Sequence, residues 1–475
     1  MIQAQKQKEG FQWQTKKERK DLNTTNGDLG NDYATSSVPI SQRRGFFGTA
    51  MVWVGWCISL SAFLTGGTIG AGNTLWIGLL AVLAGNLLLF VLGSLCGVIG
   101  FRTGRTTYSL FEPMFGSKGS IFVSVLRGAS AMSFIGVLLN SFANTLTALL
   151  PWFPFWLAVL LFGIAILSTS IRGFKGLEWI SKIAGPLLWA LLALCLYATL
   201  KNYGTATLVS YTPEKPLDFL TSMGAAVATW VAGAGMAADL TRYSKKASHV
   251  WGGSLIGYIL GSALFEAVAV VCAIGVGDGN LVVVMSKLGL LIPAVLVLGL
   301  ALWTTTDNNI YSSSLAFTNA AKLAGWNVPK WVFCVAADAI AMAFAFLGLA
   351  SKFSVWLSFT GSFCGPLAGM MIAHFLILQG RKNKVFVPQK FRLSAWLAWI
   401  LAFILSQLTK SAIPSVTAIL FGFVLYIVFY YVLDIKLNIH KESLENPVNG
   451  EVWDMPTSKE VAAQIAQQEK AAQEK

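Results

Sequence analysis

The feature that most constrains this chain is a run of apolar stretches that recurs from residue 46 to residue 434. Each is close to the roughly 20 residues that a helix needs to cross a bilayer core. Only 12% of the 475 residues are charged, against about 25% in a soluble domain, and the apolar runs do not alternate with charged faces. The expectation is an all-α integral membrane protein with twelve transmembrane helices. They are placed at 46–69, 74–100, 120–149, 151–170, 180–200, 218–238, 249–276, 286–306, 328–350, 353–379, 392–409 and 413–434. Connections as short as PWFP at 151–154 force neighbouring helices into tight antiparallel hairpins.

The formal charge of +13 invites a nucleic-acid reading, but in a membrane protein basic residues set topology. With the N-terminus inside, and with Lys182, Lys330 and Arg392 at span ends counted with the inner connections beside them, those connections and both tails hold 29 of the 35 Lys and Arg. Lys201, Lys215, Lys287, Lys352 and Lys410 lie outside, and Arg127 lies within the third span. Both termini are therefore expected in the cytoplasm and the protein in the cell membrane, with the lipid bilayer as its surroundings and no nucleic-acid partner. The polar start MIQAQKQKEGFQWQTKKERK has no apolar core of a cleavable signal peptide. Residues 1–45 and 435–475 read as cytoplasmic tails, the first disordered, the second ending in EVAAQIAQQEKAAQEK, a candidate surface helix. Nothing in either tail indicates an obligate protein partner. The six cysteines all fall in apolar spans without metal-ligand spacing and read as small buried hydrophobes.

Two spans are rich in glycine. The first reads WCISLSAFLTGGTIGAG, with Gly66, Gly67, Gly70 and Gly72; the sixth reads AAVATWVAGAGMAADLTRY, with Gly233 and Gly235. Each opens a five-helix half, and paired interruptions at corresponding positions point to an inverted-repeat carrier whose broken helices meet at the midplane. Close helix packing through small residues explains the same glycines. A polar run, ALWTTTDNNIYSSS, follows the apolar stretch LLIPAVLVLGL. Ala301, Thr304 and Thr305 stand at i, i+3 and i+4, so they share one helix face. With carbonyls from an unwound neighbour they complete a shell of neutral oxygens suited to Na⁺. The hydroxyls can equally bond back to their own helix. The ionisable residues inside the spans are Arg127, Asp239, Glu266, Asp307, Asp338 and His374. Asp239 and Arg242 can cap the sixth span or pair with each other, and Glu266 or Asp307 would be the carrier if H⁺ were the coupling ion. No nucleophile or metal cluster of an enzyme is present.

The segments SVPISQRRGFFG, LTGGTIGAGN, GNLLLFVLGSLCGVIGFRTGRTTY, FGSKGS, ADLTRY, LLIPAVLVLGLALWTTTDNNIYSS and CGPLAGMMIA resemble the nucleobase–cation symporter-1 family, in particular its cytosine-permease branch. The resemblance covers about residues 38–435. It implies the leucine-transporter fold: a 5+5 inverted repeat at 46–379 and two further helices at 380–434. It also implies a sodium site formed by Gly55, Ile58, Ala301, Thr304 and Thr305. The implied substrate is a small planar heterocycle held by Ser59, Ser130, Ser133, Phe134, Thr229, Trp230, Ala232 and Thr306. Trp230 would stack on the ring while backbone groups of an unwound Val231–Gly235 stretch bond its edge. The cytosine-permease pattern has a glutamine and a tryptophan where this chain has Ser130 and Ser133, and an asparagine where it has Thr306. Losing those donors and acceptors should change the substrate. The expected function is import of a nucleobase or related heterocycle with a cation, Na⁺ first. The alternative is proton-coupled transport of a non-nucleobase ring such as allantoin, hydantoin or a pyrimidine vitamin precursor.

Overall fold

The computed structural model of the protein describes residues 32–279, 281–348, 353–379, 384–386, 391–437, 439 and 452–473. Each of the twelve stretches read as a span holds a helix or a pair of helices. The first is a pair, α1 (Phe46–Cys57) and α2 (Leu60–Ala71), bent by 54°. α3 (Leu75–Thr103) follows, then the short α4 (Thr107–Phe115), α5 (Ser117–Leu149), α6 (Phe155–Ser170) and α7 (Phe174–Ser210). The sixth stretch is again a pair, α8 (Phe219–Ala234) and the five-residue α9 (Ala237–Thr241). α10 (Ala247–Val276) contains a π-helical segment, Ile256–Ala263. α11 (Leu281–Lys287), α12 (Leu291–Leu323), α13 (Lys330–Phe346), α14 (Phe353–Ile372), α15 (Leu393–Leu408), α16 (Pro414–Lys436) and α17 (Ser458–Gln473) complete the helices. Among the described residues, α3, α5, α7, α10, α14 with its π extension, and α16 are each long and apolar enough to cross a membrane, and α1–α2 together make a seventh.

The helices pack as two groups. α1, α2, α3, α8, α9 and α10 form one, in which α2 lies along α10 and α3 along α8 and α9. α5, α6, α12 and α13 form the other, with α5 against α12 as its main seam. α7 touches both groups, through α1 and α10 on one side and α12 on the other. α14 runs between α8 and α16, and α15 packs on α16.

Three sequence expectations change here. The break in the first span is not at its glycines. It lies at Ile58 and Ser59, where the backbone turns extended and the Ser59 hydroxyl accepts from the Ala62 N–H at 3.2 Å to start α2. Gly66 and Gly70 lie inside α2 and face α10 instead. A Cβ on Gly66 would stand 2.3 Å from the Glu266 carbonyl oxygen, and one on Gly70 would stand 2.6 Å from that of Val270. In the sixth span the helix continues through Val231–Ala234, and only Gly235 and Met236 separate it from α9. The eighth helix does not end at residue 306 but continues to Leu323, so the polar run is helical and enclosed.

The chain outside the spans is also ordered where described. Residues 32–44, read above as part of a disordered tail, are packed around Asp32. Its carboxylate accepts from the Phe174 N–H at 3.0 Å and the Tyr243 hydroxyl at 2.7 Å, and Lys330 lies 3.7 Å away. Arg242 donates to the carbonyls of Tyr33 and Asp32 and to the Tyr311 hydroxyl. Its side chain thus binds this segment and makes no ion pair with Asp239, which takes the Thr107 N–H at 2.8 Å. Burial alone would raise the Asp32 carboxyl, but Lys330 and Arg242 outweigh it and hold it below its usual value. The cluster joins α9 of the first group to α12 and α13 of the second. Near the C-terminus, α17 buries Val461 and Ile465 against Phe101 and Val250. Two short strands, β1 (Lys384–Phe386) and β2 (Val452–Asp454), pair antiparallel, an element the helical reading had not anticipated.

The close contact of α2 with α10 sets a stability test. Gly66→Leu should destabilise the protein by about 1–3 kcal/mol through overpacking, read as a lower melting temperature in detergent. The same change at Gly277, where a Cβ meets nothing within 4 Å, should cost less despite its φ of 72°.

Candidate substrate and cation site

Both breaks face α12 or α5, where the polar residues collect. Stopping a helix strands its last carbonyls. After Cys57, the Ile58 N–H still bonds to Val54, and Ile58 then leaves helical geometry (φ −79°, ψ 107°), freeing its own carbonyl. Thr305 Oγ1 of α12 lies 3.5 Å from that carbonyl oxygen, at the outer limit of a hydrogen bond. Thr304 Oγ1 lies 3.1 Å from the Ala301 carbonyl one turn earlier in its own helix. Ala301, Thr304, Thr305 and Ile58 are all fully buried. The structure thus brings the carbonyl of one helix break against the hydroxyl face of another helix. Thr304 bonds back to its own helix, whereas Thr305 reaches across to the other group.

An ion of calcium's size takes oxygens at about 2.3–2.6 Å, and sodium has a similar radius, so oxygens about 3–4 Å apart can share one such ion. The donors here are carbonyls and hydroxyls, a neutral hard-oxygen set that fits Na⁺ rather than a transition metal. Among the described residues no group of three His, Cys, Asp or Glu could hold a metal. Gly55, the remaining sequence candidate, sits in the last turn of α1 against α7. A Cβ there would meet Ser181 Oγ at 2.2 Å, so glycine permits the approach. Ser181, which sequence reasoning missed, is buried with its hydroxyl unpartnered.

Beside this junction is a small cavity of about 30 Å³. It lies between α5, α8, α12 and α14. Of the eight sequence candidates, Ser130, Phe134, Thr229, Trp230 and Ala232 line it. Trp230 packs edge-to-face on Trp56 of α1 at 5.5 Å between ring centroids, and its indole N–H has no partner. Thr229 donates to Thr65 of α2 at 2.9 Å.

The other three do not line the cavity. Ser59 is used to cap α2 and bonds the Ser61 hydroxyl at 2.7 Å. Ser133 bonds back to the carbonyls of Ala129 and Ser130. Thr306 is buried with its hydroxyl unpartnered, off the wall. The wall gains Arg127, Asn309 and Thr360 instead. Arg127 was visible as a charge inside a span, but its direction depends on the register of α5. Thr360 of α14 carries no distinguishing signal in the sequence.

The buried acids are held differently. Asn86 donates to Glu266 at 2.8 Å and Ser262 lies 3.4 Å from its other oxygen. Asp307 accepts from Ser170, and neither oxygen of Asp338 has a partner among the described residues. His374 pairs with the Tyr426 hydroxyl at 2.9 Å, away from the cavity wall.

Comparison with known proteins follows the same outline. Residues 37–390 match the family described as permease for cytosine/purines, uracil, thiamine, allantoin. The chain is 30% identical over 413 residues to the cytosine permease of Escherichia coli (strain K12), covering 86% of this chain and 96% of that protein. It is 22% identical over 370 residues to the hydantoin permease of Microbacterium maritypicum, covering 71% and 74%. Among solved structures it is similar to Mhp1, a nucleobase-cation-symport-1 family transporter closed with bromovinylhydantoin bound. The TM-score is 0.74 at 19% identity, with 84% of this chain and 95% of that one covered. A Na⁺-coupled sialic acid symporter in its outward-open state superposes with a TM-score of 0.56 at 15% identity, covering 82% and 90%. A helical, multi-pass membrane architecture and a family match over three-quarters of its length make this chain a transporter rather than an enzyme, and it belongs to the nucleobase–cation symporter-1 family of permeases.

Proposed function

We propose that the protein imports a nucleobase-like planar heterocycle together with Na⁺ by alternating access. The observation that carries this reading is the junction of Thr305 Oγ1 with the Ile58 carbonyl, because it joins the two helix groups through oxygens. An ion bound there by the Gly55, Ile58 and Ala301 carbonyls and the Thr304 and Thr305 hydroxyls would hold α1 against α12. That would preorganise the adjacent cavity for substrate, and the coupling would be reciprocal. Inward movement of each Na⁺ would gain about 2.3 kcal/mol per 100 mV of membrane potential.

The packing supports twelve spans arranged as two five-span halves with two added helices. Spans one, two, six and seven make one group and spans three, four, eight and nine the other. Both broken pairs, α1–α2 and α8–α9, open their halves. The basic bias of the inner connections supports cytoplasmic termini. For the substrate, Trp230 offers an indole face, Phe134 a second ring, and Ser130, Thr229 and Asn309 polar groups at the edge. The named relatives act on cytosine and hydantoin, both small flat rings bearing amide groups.

Uptake into proteoliposomes tests the ion site. Thr305→Ala should lower the apparent Na⁺ affinity by about tenfold or more, equivalent to at least about 1.4 kcal/mol, and Thr304→Ala should act in the same direction. Normal sodium dependence in Thr305→Ala would refute the placement. Trp230→Ala should weaken substrate binding in a thermal-shift titration while Na⁺ still stabilises the protein.

A second reading, proton coupling, draws on one observation. Among the described residues the partners of the Glu266 carboxyl, Asn86, Ser262 and Thr229, are all neutral, and an uncompensated carboxylate within a span is costly. If protons are carried there, uptake will follow an inward pH gradient in sodium-free buffer, and Glu266→Gln will abolish that response.

A further inference from the structure

The cavity wall includes a cation that the heterocycle reading does not use. Arg127 of α5 is 3% exposed and lines the cavity together with Trp230 and Thr360. One of its N–H groups, on Nη2, donates to the Ala232 carbonyl at 2.5 Å. That carbonyl belongs to the last turn of α8, where the Gly235 and Met236 N–H groups bond to Val231 and Gly233 and pass Ala232 by. A guanidinium has five N–H donors and no acceptor, so this bond leaves most of its capacity available. Among the described residues no carboxylate makes an ion pair with it. Asp239, the acid of the neighbouring α9, takes the Thr107 N–H and lies 3.4 Å from the Ser312 hydroxyl.

Asp239 feels the Arg127 charge at longer range, but among the described residues no carboxylate touches the guanidinium, and a buried charge is best stabilised by a partner in direct contact. Charge-assisted bonds from arginine to an anionic oxygen are roughly twice as strong as neutral ones, and planar acceptors can be held by two of them. The same wall holds a second unpartnered donor in the Trp230 indole and an unpartnered hydroxyl in Thr360. We propose that the physiological substrate is a planar heterocycle bearing an anionic oxygen, as a ring carboxylate or a deprotonated ring oxygen, and that Arg127 selects it. The ring stacks on Trp230, and the anionic oxygen takes the free N–H groups of Arg127. This rests on the heterocycle-carrier reading above and narrows it.

Matched pairs of the same ring separate the two. The probes are nicotinamide against nicotinate and uracil against uracil-6-carboxylate, titrated by thermal shift into the purified full-length protein in NaCl. In the wild type, at least one carboxylate should bind about tenfold or more tighter than its neutral partner. Arg127→Gln keeps a donor for Ala232 but removes the charge, and should erase that preference. Arg127→Lys keeps the charge and should retain part of it. Neutral rings binding the wild type as well as or better than their carboxylates would overturn the proposal, a result that needs no variant to fold. An unchanged preference in Arg127→Gln would overturn it as well. Binding of none of the four by the wild type would instead count against the heterocycle pocket itself.

Discussion

A helix that stops within hydrocarbon exposes backbone groups that lipid cannot satisfy, and this protein interrupts two of the helices in its apolar spans. Each end is answered by a specific neighbour. Ser59 supplies the acceptor for the start of α2, Thr305 stands at the freed carbonyl that ends α1, and Arg127 takes the orphan carbonyl near the end of α8. Two of these three partners come from α5 and α12, the main seam of the second helix group. The breaks therefore attach one group to the other alongside α7 and the Asp32 cluster, and the candidate site lies where that attachment is polar rather than apolar.

The attachment also explains the composition of α12. Its residues Thr304 to Ser314 are almost wholly buried, yet they include few apolar side chains. A helix enclosed on all sides by protein in a membrane can invert the usual pattern, with its polar face turned toward ligands and breaks and its apolar face toward other helices. Asn308 and Asn309 donate to the carbonyls of Thr304 and Thr305 at 2.8 Å, so even the amides stabilise the threonine turn. That turn is held from its own helix before anything binds.

Much of this was readable from residue order. The apolar spans and the shared face of Ala301, Thr304 and Thr305 follow from length and period. The position of the first break did not. Glycine marks both flexible backbone and close contact, and at Gly66 and Gly70 it serves contact with α10. The better signal was Ser59 three residues before Ala62, a capping geometry hidden inside an apolar run. The end of α12 was misplaced for a related reason: a polar stretch resembles a helix exit when its burial by other helices is not known. Five of eight proposed cavity residues lie on the wall because they belong to the breaks or to the face of α5 beside them. Thr360 and Arg127 needed the packing of α14 and α5, which no local pattern encodes. The packed segment 32–44 depended on partners more than 100 residues away.

The π segment of α10 bears on how a straight neighbour follows a bent one. Before and through it, Gly253, Gly257 and Gly261 face Trp53, Cys57 and Ile58 of α1; beyond it, Glu266, Ala269, Val270 and Ala273 face the glycines of α2. An i→i+5 turn holds more residues per revolution than an α turn, so each such turn sets back the helix's angular phase. The stripe that tracks α1 is thereby handed on to a second stripe, displaced around the cylinder, that tracks α2. One continuous helix acts as a screw with two threads, and a change in the 54° angle between α1 and α2 must be matched by a change in the winding of α10.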